Sequence, residues 1–79
     1  MTEESKLKYI VSHDSDPTVR LAALSKIMDQ SYLNYVSSHD NDINVRIAAI
    51  GRMTDKHKLG YLATTDSDPR IRLAAVKKL

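Results

Sequence analysis

Three arginines, Arg20, Arg46 and Arg72, each follow an aspartate by four positions: Asp16, Asp42 and Asp68. On a helix that spacing puts both groups on one side. Each Arg also follows directly on an apolar residue of the core stripe, Val19, Val45 or Ile71. Its aliphatic stem is then covered while the guanidinium, five donors in a planar fork, seeks carboxylates. This is the chemistry of a structural Asp/Arg ladder. Recognition of a phosphate or an acidic ligand by the same arginines is the functional alternative.

Two further groups carry chemical potential. His13–Asp14 and His39–Asp40 are imidazole–carboxylate pairs, but the third copy reads Thr65–Asp66 and His57 lies elsewhere. Successive copies on packed helices sit about 8–10 Å apart, whereas two imidazoles on one zinc need bonds near 2 Å. The pairs are therefore read as hydrogen-bonding groups of inter-helix loops, and no metal site is expected. Tyr9, Tyr35 and Tyr61 occupy one identical position, roughly 200° around a helix from Leu7, Leu33 and Leu59. Either they pack on the neighbouring short helix with the hydroxyl at the rim, or they line an inner surface where rigid aromatic area meets a partner. Tyr32, unique to the second copy, would broaden such a patch. Nucleophile and triad motifs are absent, and two glycines in total make a phosphate cradle implausible. No catalytic residue or cofactor site is expected, and the chain is read as a non-enzyme.

All these residues recur with one period. HDSDPTVRLAALSKI starts at His13, HDNDINVRIAAIGRM at His39 and TDSDPRIRLAAVKKL at Thr65, each 26 residues after the last. Between them SKLKYIVS, SYLNYVSS and HKLGYLAT also correspond. The 79 residues divide into repeats 1–26, 27–52 and 53–78, with Leu79 left over, and form one domain. A period in this range signals a stacked array in which no unit can bury its apolar face alone.

Each repeat reads as a helical hairpin. Asp16, Asp42 and Asp68 stand where an N-cap belongs, with Pro17 and Pro69 at the first helical position. Asp14, Asp40 and Asp66 add negative charge near the positive end of the helix dipole. From there Val19, Ala22, Ala23 and Ile27 keep an apolar stripe, and Leu21, Leu24 and Met28 extend it around the helix. The recurring Ala22–Ala23, Ala48–Ala49 and Ala74–Ala75 suit close helix packing. The first segment, with Leu7, Ile10 and Val11 at i, i+3 and i+4, is the shorter one, a helix of about two turns that must dock on its neighbours. Its candidate caps are Thr2 or Glu3, Asp29 and Asp55. Strands over LKYIV and YLNYV are the structural rival; the capped, Ala-rich segments favour an all-α fold.

Hydrophobic residues make up 42% and charged residues 28%, a globular balance. The four aromatics are all Tyr, and there is no Cys, which excludes disulfides and thiolate metal sites. Lack of Cys fits a cytoplasmic protein. The polar start MTEESK holds no apolar run that would serve as a signal peptide or membrane span. Net charge is +2, distributed as 0, −1 and +3 over the three repeats, because Lys56, Lys58, Arg70, Arg72, Lys77 and Lys78 gather in the last. That end offers phosphate contacts, yet Arg72 has counterparts in Arg20 and Arg46, so nucleic-acid binding ranks below a structural role.

The run D-x-D-P-x-V-R-x-A-A, followed by an apolar residue, a short turn with Asp and then L-x-x-I, resembles short HEAT-like repeats of the type also found in phycobilisome lyases. More distantly it is similar to armadillo repeats and the leucine-rich repeat variant. The resemblance spans essentially the whole chain. It implies an α-α superhelix of three hairpins, right-handed, with the Asp/Arg ladder running between adjacent units, and a non-enzymatic scaffold for protein–protein contacts. An accessory or lyase-type enzyme subunit, a nucleic-acid-binding helical repeat and a structural spacer are the alternatives. Some HEAT-like enzymes bind iron through His-Glu pairs; none occurs here. The third long helix stops at Lys77-Lys78-Leu79 without a polar capping unit. Two expectations follow: a fragment of a longer array, or self-association through the C-terminal helix.

Overall fold

Six carboxylate- or hydroxyl-capped segments become six helices. The computed structural model describes residues 2–79; Met1, the expected start of the first repeat, lies outside the described residues. The helices are α1 (Glu3–His13), α2 (Pro17–Leu24), α3 (Gln30–His39), α4 (Ile43–Gly51), α5 (Lys56–Thr65) and α6 (Pro69–Lys78), and no strand occurs among the described residues. LKYIV and YLNYV are thus helical.

Every helix start is satisfied by a side chain that accepts from free backbone N–H groups. Thr2, not Glu3, caps α1, and Asp29 and Asp55 cap α3 and α5. Asp16, Asp42 and Asp68 accept from Thr18, Asn44 and Arg70 at 2.9, 2.8 and 2.8 Å. The first helix of each pair is longer than the two turns expected: α1 has 11 residues, against 8 in α2. The apolar stripe stops early, but the polar ends Ser12-His13 and Ser38-His39 remain helical because the histidine side chains and the following Asp close the last turn. The backbone N–H groups of Asp14, Asp40 and Asp66 donate to Ile10, Val36 and Leu62. In the second helix the opposite happens. Helix α2 ends at Leu24, where the Ser25 hydroxyl donates to the Ala22 carbonyl at 2.6 Å and tighter turns follow. Ile27, read as the end of the helical stripe, is buried in the connection instead, and Met28 points to solvent.

Short connections fold each pair back on itself: α1 packs on α2, α3 on α4 and α5 on α6, while α4 lies between α2 and α6. One contiguous core results, formed by Leu24, Ile27, Leu33, Val45, Ile50, Met53, Leu59, Leu62 and Ile71 with Ala23, Ala49 and Ala75. Burying each of the larger side chains contributes about 1.5–3 kcal/mol. The Ala pairs split in role. The second Ala of each pair is fully enclosed, whereas Ala22 is exposed and Ala48 and Ala74 are half-buried. The result is an elongated body of 36 × 21 × 15 Å. No described helix is long and apolar enough to cross a membrane.

A shifted Arg–Asp ladder beneath exposed tyrosines

The arginines do not take the carboxylates four residues before them. Asp16, Asp42 and Asp68 are occupied as N-caps, and the ion pairs run to the other aspartate of the motif, one copy further along. Arg20 places Nε and Nη2 on Asp40 at 3.2 Å each, and Nη2 also reaches the side-chain oxygen of Asn41 at 3.1 Å. Arg46 pairs with Asp66 through Nη2 alone, while its Nε donates to the Ser37 carbonyl at 2.7 Å. Arg72 meets no carboxylate among the described residues and donates to the Asp66 carbonyl at 2.7 Å. Arg20 makes the equivalent bond to the Asp14 carbonyl at 2.8 Å.

The physical reason for the shift is competition for one group. A capping carboxylate is already turned inward onto the amides of its own helix, whereas Asp40 and Asp66 stand at the C-caps of α3 and α5 and face the preceding pair. Each of these also accepts from the backbone N–H two residues on, at 2.9 and 3.0 Å, so it shapes the turn and bridges copies at once. Burial makes the first rung costly to disrupt: the Arg20 and Asp40 side chains are only 8% and 7% exposed.

On the outer side of the first helices, Tyr9, Tyr35 and Tyr61 are 53%, 54% and 59% exposed. The first two rings are held in place from one turn further on. The imidazole of His13 stacks on Tyr9 with centroids 4.0 Å apart, and His39 stacks on Tyr35 at 4.1 Å. In each case Nδ1 lies on the carbonyl of the same tyrosine, at 3.0 and 2.8 Å; a carbonyl only accepts, so Nδ1 carries the proton. In the third copy Thr65 donates to the Tyr61 carbonyl at 2.6 Å, and the Lys58 ammonium sits 5.4 Å from the Tyr61 ring centroid. The histidines therefore belong to helix ends, not to the loops where the sequence put them.

Tyr32 behaves differently from the other three. It is half-buried, its hydroxyl donates to the Lys8 carbonyl at 2.9 Å and meets the Ser12 hydroxyl at 2.7 Å, and Lys8 lies 5.4 Å from the ring centroid. It fastens α3 to α1 and presents only its ring, 6.2 Å from that of Tyr35. Beside them opens a groove of about 470 Å³, walled by His13, Arg20, Tyr32, Tyr35, His39 and Asp40. With Arg20 neutralised by Asp40, what the groove offers a ligand is aromatic faces, neutral hydrogen-bonding groups and the Asp14 carboxylate.

Several connections went unread in the sequence. The Lys8 ammonium donates to Asp29 at 2.8 Å, which together with the Ser31 hydroxyl holds the Asp29 carboxyl well below its ordinary range and raises Lys8. Arg52 caps the carbonyls of Leu24 and Ile27, and Gln30 bridges the Arg52 carbonyl and the Thr54 amide at 3.0 and 3.1 Å. None of these recurs identically in all three copies, so periodicity gave no signal for them. No cluster of three or more metal-ligating side chains occurs among the described residues. Compared with family models, with curated proteins and with solved structures, the chain matches none.

Proposed function

We propose that this chain is a superhelical array of three helical-hairpin repeats that works as a non-enzymatic, cytoplasmic scaffold, binding a protein partner across its tyrosine-bearing surface. One observation carries the reading: the same tyrosine recurs every 26 residues, stays more than half exposed in every copy, and its ring is backed by a stacked histidine in the first two copies and by the Lys58 ammonium in the third. A half-exposed ring already fixed in orientation loses little freedom when a partner covers it, so most of its contact area is available as affinity. The rest of the chain supports this use. Asp16, Asp42 and Asp68 are engaged as caps, and the rungs Arg20–Asp40 and Arg46–Asp66 tie successive copies together. The HEAT-like resemblance of the motif supports the array and the scaffold role.

The test is affinity capture with the wild-type chain and with a Tyr9→Ala, Tyr35→Ala, Tyr61→Ala variant. Loss of the captured protein with helicity unchanged by circular dichroism supports the reading. Undiminished capture by the variant would show that the rings are not the contact surface. Nucleic acid in the captured fraction, released steeply by moderate salt, would favour the basic third repeat instead.

A further inference from the structure

Corresponding positions of the three copies differ in burial, and the differences outline two bare faces. Leu24 and Ile50 are enclosed, whereas Val76 at the same position is 54% exposed. Ile27 and Met53 are enclosed, whereas Leu79 is exposed; Leu21 and Ile47 are half-buried, whereas Leu73 is exposed. These positions are covered by the following copy wherever one follows. At the other end the pattern reverses. Val45 and Ile71 are enclosed, whereas Val19 is exposed. Leu33, Leu59, Val36 and Leu62 are enclosed, whereas Leu7 and Ile10 are only half-buried.

The charges at the two faces are complementary in the same way. Arg72 is the third ladder arginine and has no carboxylate; Asp14 is the first ladder aspartate and has no cation among the described residues. The missing partner of each is the group the other end displays. The molecule thus exposes both halves of an interface that it forms twice internally, through Arg20–Asp40 and Arg46–Asp66.

We propose that a second copy of this chain covers these faces, head to tail: the Leu7, Ile10, Val19 and Asp14 face of one molecule seats on the Leu73, Val76, Leu79 and Arg72 face of the next. Arg72 then takes the neighbour's Asp14 as Arg20 takes Asp40. The contact is heterologous, with different surfaces meeting, so it leaves a free face at each end and adds further copies in a row. It rests on the array reading proposed above and not on the tyrosine surface.

The experiment is sedimentation and light scattering over a wide concentration range, with two single-face variants. Val76→Glu spoils one face and Val19→Arg the other, both at exposed positions, with circular dichroism to verify the fold; Asp14→Asn, which keeps an oxygen for the Asp16 amide, weakens the same contact more gently. The wild type is expected to grow with concentration from 8.9 kDa through dimers to longer rows. Each of the two face-spoiling variants alone stays monomeric. An equimolar mixture of the two pairs once and stops at the dimer, because each supplies the face the other lacks. The triple tyrosine variant associates like the wild type, which separates this idea from the partner surface. A wild type that remains monomeric throughout overturns the proposal. So does a Val19→Arg protein that still dimerises, since that outcome means two C-terminal faces pair with each other.

Discussion

Arg20 and Arg72 stand at the same position of the same motif and lead different lives. Arg20 is enclosed, gripped by Asp40, Asn41 and the Asp14 carbonyl. Arg72 keeps the carbonyl bond alone, at the bare edge of α6. Their own helices are nearly identical, so the difference comes from whether another helical pair lies beyond. A residue's energetic weight in this molecule is set by its neighbour in space more than by its neighbours in sequence.

Substitution at equivalent positions sharpens that contrast. Arg20→Ala leaves Asp40 buried and unpaired, and chemical denaturation should show a loss of about 3–5 kcal/mol, with Arg46→Ala close behind. Arg72→Ala removes one hydrogen bond at an open edge and should cost about 1 kcal/mol. Equal losses at the two ends would break the comparison. Truncating the core tells the same story without charge. Leu24→Ala should cost about 2–5 kcal/mol, whereas Val76→Ala in the monomer should stay within about 0.5 kcal/mol.

Acid titration probes the capping carboxylates as a separate group. Asp29 is lowered chiefly by its bond from Lys8, Asp16 by the Thr18 hydroxyl, and Asp68 by Arg70. Each stays ionised in the folded chain at a pH where the unfolded chain, near 3.8, takes up a proton. Their contribution is therefore complete above pH 3.8 and declines as pH falls through the lowered folded values, which thermal melts at stepped acid pH would reveal. Lys8 is raised by the same Asp29 contact, so its share is complete below 10.5 and fades as pH rises through the folded value. Both side chains are about a third exposed, and solvent screens the pair. Lys8→Ala should accordingly cost far less than Arg20→Ala in the same denaturation experiment. Gly60, inside α5, has nothing within 4 Å of an added Cβ. Gly60→Ala should therefore stabilise by about 0.5–1 kcal/mol through helix propensity alone.

How much of this was legible beforehand depended on range. Helix starts were readable because a cap and its amides lie within three residues of each other, and the aspartates and prolines mark them. Tyr9, Tyr35 and Tyr61 were readable as one recurring position, but not whether it faced outward. The ladder was half-readable. Its arginines stood out, yet each motif holds two recurring aspartates, and spacing alone chose the nearer one. Asp16 was engaged by its own helix, so the guanidinium of Arg20 crossed twenty positions to Asp40. Arg52 and Gln30 gave no periodic signal at all.

The sequence by itself determined the period, the six helix starts and the apolar stripes, because these follow from interactions spanning one or two turns of chain. Only the tertiary structure decided which carboxylate each arginine holds, that Tyr32 is a fastener while its three relatives face solvent, and that Val76 is bare where Leu24 is enclosed. Those outcomes depend on which helices come to lie side by side, and local propensity is the same with or without a neighbour.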